Sequence, residues 1–305
     1  MSNNHSAAGK SCPAKNSTVS IGALCHQTAN LQHLNDKDAI LVISFGTTQK
    51  QARQNAIENI TNKIQAAYPL LKIVSAFTSH IVIRRIKENE NLKYNTPEQA
   101  LDKLAADGYT RIAIVALDII PGIEYAYKQK VFELYKNHFK KMTMSTPLLY
   151  WQGQKNHRDD INDVFATFLH ELPIKKDNFD ALLVFAHGTK HPANAYYTAI
   201  QARLNCSRQQ PPVFVYTAEG YPDLSSIIPM LKINNYKRLL LLPFMIVAGE
   251  HVYNDMNGDS MTSHKSLLQR QNFRISTYLH GLGENETICR FFLDRTKETY
   301  QLLVN

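Results

Sequence analysis

Two histidines and one glutamate stand where three apolar runs end. His187 follows Ala181-Leu182-Leu183-Val184-Phe185-Ala186, Glu219 follows Val213-Phe214-Val215-Tyr216-Thr217 by one residue, and His251 lies beyond Arg238-Leu239-Leu240-Leu241-Leu242-Pro243-Phe244. Two imidazoles and a carboxylate make a three-ligand set with open positions, suited to a divalent first-row metal ion. Neutral imidazole also accepts protons near neutral pH. Adjacent strands lie ~4.8 Å apart, so groups at neighbouring strand ends can converge on one ion. Each histidine alone would read as a hydrogen-bonded loop residue; the three at equivalent strand ends point to a metal. His191 reads as a cap or rim residue, and His264 and His280 as solvated side chains. Asn254, Asp255, Asp259 and Ser263 read equally as loop and helix-cap groups or as support behind His251. Arg53, Arg84 and Arg85 lie near strand ends of the first half and have the fork geometry to hold carboxylates.

The elements that must position these groups repeat a strand–helix plan. Ala39 to Ser44 is a buried strand ending at Gly46-Thr47-Thr48, and Ala52, Ala56, Ile57, Ile60, Ile64 and Ala67 then recur at helical spacing. Leu71 to Phe77 and Arg111 to Leu117 are further strands, with a helix between them from Pro97 to Ala106, capped by Thr96 and closed by Gly108. The second half repeats this, so Leu41 to Thr47 matches Leu183 to Thr189 and sets Phe45 against His187. Arg111-Ile112-Ala113-Ile114 matches Arg238-Leu239-Leu240-Leu241, and Gly122 matches Gly249, which sets Glu124 against His251. The expected fold is α/β: two similar lobes, each a parallel sheet flanked by helices, with a cleft between them. Residues 1–37 read as a mobile tail, 38–160 as the N-terminal lobe, and 161–305 as the C-terminal lobe carrying the metal ligands.

Composition removes several classes. The chain has 305 residues, 44% hydrophobic and 20% charged, which a disordered protein would not have. No apolar stretch approaches the roughly 18 residues of a membrane span, so no membrane partner is expected. Met1 to Lys15 lack the apolar core of a secretory signal, which makes the cytoplasm the expected location unless a signal was removed. Four cysteines without a C-x-x-C pair read as free thiols. A net charge of +8 favours an anionic partner, but the basic residues form no helix or aromatic ladder, so nucleic acid is not expected. There is no G-x-x-x-x-G-K-[ST], G-x-G-x-x-G or G-x-S-x-G, hence no ATP, no nucleotide and no serine nucleophile. The oligomeric state is left open, and a homo-oligomer is compatible with the sequence.

Several segments together resemble one family. Phe185 to Asn194, Glu219-Gly220-Tyr221-Pro222, Pro243 to Asp259 and Gly281-Leu282-Gly283-Glu284 look like the motifs of the anaerobic sirohydrochlorin cobalt chelatases of cobalamin biosynthesis, the class II chelatases. Ser44 to Thr48, Ala76 to Ser79 with Arg84-Arg85, and Pro121 to Tyr125 are similar too, and the likeness covers about residues 38–300. It implies a chelatase-like two-lobed fold shared with the protoporphyrin ferrochelatases, and a lyase that inserts Co²⁺ into sirohydrochlorin without ATP. The family's metal-binding histidine pair carries over to His187 and His251, and its acidic partner to Glu219. Relatives load Fe²⁺ to make sirohaem, and the ligand set does not separate the two metals. The implied substrate is a polycarboxylate tetrapyrrole, with Arg53, Arg84, Arg85 and Glu124 as its expected contacts and Tyr125, Tyr127 and Phe77 as expected ring neighbours. A tetrapyrrole or metal carrier on the same scaffold is the alternative, as is a hydrolytic metalloenzyme. His5, His26, His33, Cys12 and Cys25 of the tail read as incidental rather than as a metal relay.

Overall fold

Runs that are apolar on both faces become the interior strands of two sheets. The computed structural model describes residues 21–305. Its first sheet holds β1 (Leu24–Gln27), β2 (Asp38–Ser44), β3 (Lys72–Phe77), β4 (Arg111–Ala116) and β5 (Lys141–Met144), in the order β1-β5-β4-β2-β3. The second holds β6 (Ala181–Ala186), β7 (Val213–Thr217), β8 (Arg238–Phe244) and β9 (Arg274–Thr277), in the order β7-β6-β8-β9. All pairings are parallel except that of β1 with β5.

The second order repeats the first without β1, and the registers agree. Ser44 pairs with Phe77 as Ala186 pairs with Thr217. Beyond the strands, Thr78 N donates to Ser44 O (2.9 Å) as Ala218 N donates to Ala186 O (3.1 Å). Ser79 N donates to Phe45 O (3.3 Å) as Glu219 N donates to His187 O (2.9 Å). Phe45 therefore occupies the place in the first lobe that His187 occupies in the second, and Ser79 the place of Glu219. In the next loop, Gly122 N reaches Ile120 O at 2.8 Å and Gly249 N reaches Val247 O at 3.0 Å, which sets Glu124 against His251.

Two features depart from the expected organisation. Residues 24–27 are an antiparallel edge strand rather than tail: Leu24 packs on the core, and Thr28 N donates to Lys140 O at 3.0 Å. Four alternating residues are too few to show a period, so this strand had no local signature. His26 bonds Asn137 Oδ1 at 2.8 Å. The readings of His5 and Cys12 lie outside the described residues. The C-terminal helix Glu286–Val304 packs on β4 and β5 of the first sheet rather than on the second. There Thr143 Oγ1 donates to Thr299 O at 2.9 Å, and Tyr300 OH to Asp38 Oδ2 at 2.9 Å.

The lobes share their apolar base. One cluster contains Ile40 and Val42 of β2, Leu182 and Val184 of β6, and Phe292 of the C-terminal helix. Where the chain crosses between lobes, buried Asp160 accepts from Tyr150 N (3.0 Å), Trp151 N (2.7 Å) and buried Arg295 (2.6 Å). Fixed at this base, the strand ends open onto a common cleft. Among the described residues no helix is long and apolar enough to cross a membrane.

Candidate metal-binding cleft

A cavity of about 580 Å³ lies at the carboxyl ends of the central strands of both sheets. His187, Glu219 and His251 line it from the second lobe, and Phe45, Asp118 and Glu124 from the first. The first strand of each lobe's repeat, β2 or β6, leads into a glycine with positive φ, Gly46 at 90° and Gly188 at 77°, which only glycine adopts freely. A Cβ at Gly188 would stand 2.7 Å from Thr217 Cβ, so this close turn also needs the absent side chain. The turn delivers His187 into the cleft. His251 opens a π-helical segment, His251–Met256, a distortion that widens the turn and is frequent at functional sites.

The two imidazoles meet edge to face, with ring centroids 4.9 Å apart and planes at 85°. His187 Nδ1 bonds Gly188 O at 3.1 Å, and His251 Nδ1 bonds Asp255 Oδ2 at 2.6 Å. A carbonyl and a carboxylate only accept, so Nδ1 is the donor in both rings, and in the neutral imidazole Nε2 then carries the lone pair. That is the tautomer a metal ligand requires, fixed by outer partners as in carboxylate–histidine–metal sites. Of the four groups weighed as support behind His251, Asp255 takes the role, whereas Ser263 caps the helix His264–Gln269.

Glu219 lines the same cavity but does not close a cage: among the described residues no three His, Cys, Asp or Glu side chains are grouped to hold a metal. Glu124 Oε2 accepts from Thr78 Oγ1 at 2.8 Å. Arg85 reaches Glu250 Oε1 at 3.7 Å across the mouth, where Thr48 Oγ1 also donates to Glu250 at 3.2 Å.

Arg53 and Arg84 are not placed to contact a ligand in the cleft. Arg53 is 1% exposed and bonds Glu90 Oε2 at 2.6 Å and Thr47 O at 3.3 Å, so its charge is spent inside the first lobe. Arg84 points outward beside Glu88 on its own helix. The three expected ring neighbours are also turned away. Phe77 stacks on Tyr94 at 4.2 Å, Tyr125 is buried with its OH on Ser145 O at 2.9 Å, and the Tyr127 hydroxyl bonds Glu98. Of the apolar residues that line the cleft, Phe45 and Ile123 are more than half exposed.

The remaining histidines separate cleanly. His191 caps the turn Pro192–Asn194, accepting from Ala193 N at 3.1 Å. His264 is not solvated as expected: it lies 4.7 Å from Phe185, and burial pushes its pKa down. His280 bonds Glu284 Oε2 at 2.8 Å. Sequence reading missed Asp118 on the cleft wall, whose two oxygens both lie 2.7 Å from buried Lys128 Nζ. The signal was a single charge in the run Leu117-Asp118-Ile119-Ile120.

A family model described as cobalt chelatase (CbiK) matches residues 38–301. The sirohydrochlorin cobaltochelatase of Salmonella typhimurium is 30% identical over 268 residues, covering 88% of this chain and 98% of that protein. The sirohydrochlorin cobaltochelatase CbiKC of Nitratidesulfovibrio vulgaris is 31% identical over 266 residues, covering 86% and 91%. Among solved structures, SirB from Bacillus subtilis with Fe³⁺ superposes with a TM-score of 0.57 at 16% identity, over 86% of this chain and 95% of that one. DR2241 from Deinococcus radiodurans gives 0.54 at 14% identity, over 87% and 56%.

Proposed function

The chain belongs to the cobalt chelatase (CbiK) family and is a metal chelatase, and on that premise we propose that it inserts Co²⁺ into sirohydrochlorin without ATP, for cobalamin synthesis in the cytoplasm. The observation that carries this reading is the His187–His251 pair, two imidazoles 4.9 Å apart with both Nδ1 atoms already committed. Their Nε2 atoms hold the substrate metal, and Glu219 swings in from the same wall as a third, weaker ligand. Water fills the other positions. An incomplete protein shell suits an ion that must be surrendered, because macrocycle nitrogens can then displace water and protein ligands in turn.

Each insertion releases two pyrrole protons. The imidazoles cannot take them while Nε2 binds the metal and Nδ1 donates, so Glu124, on the opposite wall, accepts at least one. Phe45 and Ile123 give the flat ring an apolar surface, and Arg85 meets its carboxylates at the mouth. The net charge of +8 draws in a polyanionic substrate. The absence of a phosphate-cradling motif from the sequence supports a reaction driven by coordination alone.

The test is anaerobic absorbance of the purified protein with sirohydrochlorin and Co²⁺, without ATP, beside His187→Ala and His251→Ala. The expected result is rapid conversion by the wild type and none above the protein-free rate in either variant. Tight tetrapyrrole binding with no catalysed insertion would leave a carrier. A parallel arm with Fe²⁺ measures metal preference.

A further inference from the structure

Asp118 is a charge that the established family membership does not use. It follows the end of β4 by two residues, lines the cleft and is 9% exposed. Its partner Lys128 is completely buried on the helix Ile123–Tyr135, one turn after Glu124, and its Nζ lies 2.7 Å from each Asp118 oxygen. Such a pair gains little over apolar packing of the same volume, because both ions lose water. At the neighbouring strand end, Ser44 lines the same cavity, and its Oγ is buried behind that wall with no hydrogen-bond partner. An ion pair and an orphaned hydroxyl on one wall suit a site that handles protons.

Resting on the chelatase reading, we propose that Asp118 is the second proton acceptor of the cleft, held ready by Lys128. Two pyrrole protons leave for each metal inserted. At each nitrogen the N–H electron pair stays behind and becomes the nitrogen–cobalt bond, while the proton passes to a carboxylate. Glu124 takes one and Asp118 the other. Lys128 stays an ammonium throughout, so the pair passes from net zero to +1 until solvent removes the proton. Of the other acids of the cleft, Glu219 is assigned to the metal, and Glu250 lies out at the mouth beside Arg85 and Thr48.

The titratable groups around Asp118 are Lys128, Glu124 and Tyr125. Burial pushes the Asp118 carboxyl up, and the Lys128 ammonium pulls it back toward the ionised form. Without Lys128, a desolvated Asp118 near Glu124 would keep its own proton and could accept none.

The experiment compares wild type with Asp118→Leu/Lys128→Met, an apolar pair of similar volume that spares the fold, and with Asp118→Glu. Circular dichroism establishes folding, sirohydrochlorin binding is titrated without metal, and single-turnover insertion of Co²⁺ is timed in H₂O and D₂O. The expected double variant binds sirohydrochlorin within about twofold of wild type but inserts metal about a hundredfold more slowly, with a larger solvent isotope effect. Asp118→Glu retains most of the rate. A folded double variant inserting at the wild-type rate would overturn the proposal. So would a loss of sirohydrochlorin binding equal to the loss of rate, which would make the pair a shaper of the cleft. A wild type that makes no cobalt product removes the chelatase reading itself, and the proposal with it.

Discussion

His251 and Asp255 are joined across one turn of a π-helical segment by a 2.6 Å bond from Nδ1 to a carboxylate oxygen. The bond holds the ring, which lines the cleft beside His187. Asp255→Asn keeps the shape, but its amide can present NH₂ to Nδ1 and favour the wrong tautomer. The expected outcome is Co²⁺ affinity lower by about ten- to a hundredfold with thermal stability nearly unchanged, read by calorimetric titration. Unchanged affinity would mean that the turn alone holds the ring.

Gly188 carries a second, purely steric requirement. Its φ is 77°, and a Cβ added there would stand 2.7 Å from Thr217 Cβ and 2.9 Å from Gly220 N, so alanine meets both backbone strain and backbone contact. Gly188→Ala should lower stability by about 1–3 kcal/mol and displace His187, so metal binding weakens along with the melting temperature. Gly108, with φ at 77° and open space around it, is the control: Gly108→Ala incurs strain alone and leaves metal binding intact.

Much of the cleft was legible because strand ends are local signals. An apolar run followed by His-Gly-Thr, or by Gly-Glu-His, sets a side chain at the carboxyl edge whatever the rest of the chain does. The internal match of the halves likewise survived, since Phe45 and His187 make the same backbone bonds to the next strand end. What failed was non-local. Arg53 looks like a free cation at a strand end, yet its partner Glu90 comes from a different helix and removes it from the cleft. Phe77 and Tyr125 sit in cleft motifs, but their rings turn into the first lobe. Asp118 went unread because its meaning depends on Lys128, one helix away.

Asp180, away from the cleft, is a well-defined source of acid sensitivity. Asp180 accepts from Lys237 N, Arg238 N and the Arg238 guanidinium, all within 3.1 Å, and these contacts hold its pKa at about 2. A carboxyl depressed in the folded state stabilises above its unfolded pKa of about 3.9, and that stabilisation is lost as pH falls toward 2. Asp180→Asn should therefore melt below wild type at pH 7, and the two curves should converge near pH 2. A constant gap across that window would show that the backbone bonds, which the amide oxygen can also accept, carry the effect.

Arg85 and Arg84 are adjacent in sequence and opposite in expected use. Arg85 lines the cleft and has only a long, 3.7 Å contact with Glu250, so an incoming carboxylate can take the guanidinium at little loss. Arg84 lies outside, 3.9 Å from Glu88. Arg85→Ala should raise KM for sirohydrochlorin about fivefold, equivalent to about 1 kcal/mol for an exposed ion pair, with kcat unchanged. The difference should shrink as salt is raised from about 0.05 to about 0.5 M, because the Debye length falls below about 5 Å. Arg84→Ala should match wild type at every salt concentration. Equal rises in KM for both variants would mean that the protein attracts the substrate by its overall positive field, and that no single guanidinium grips a carboxylate.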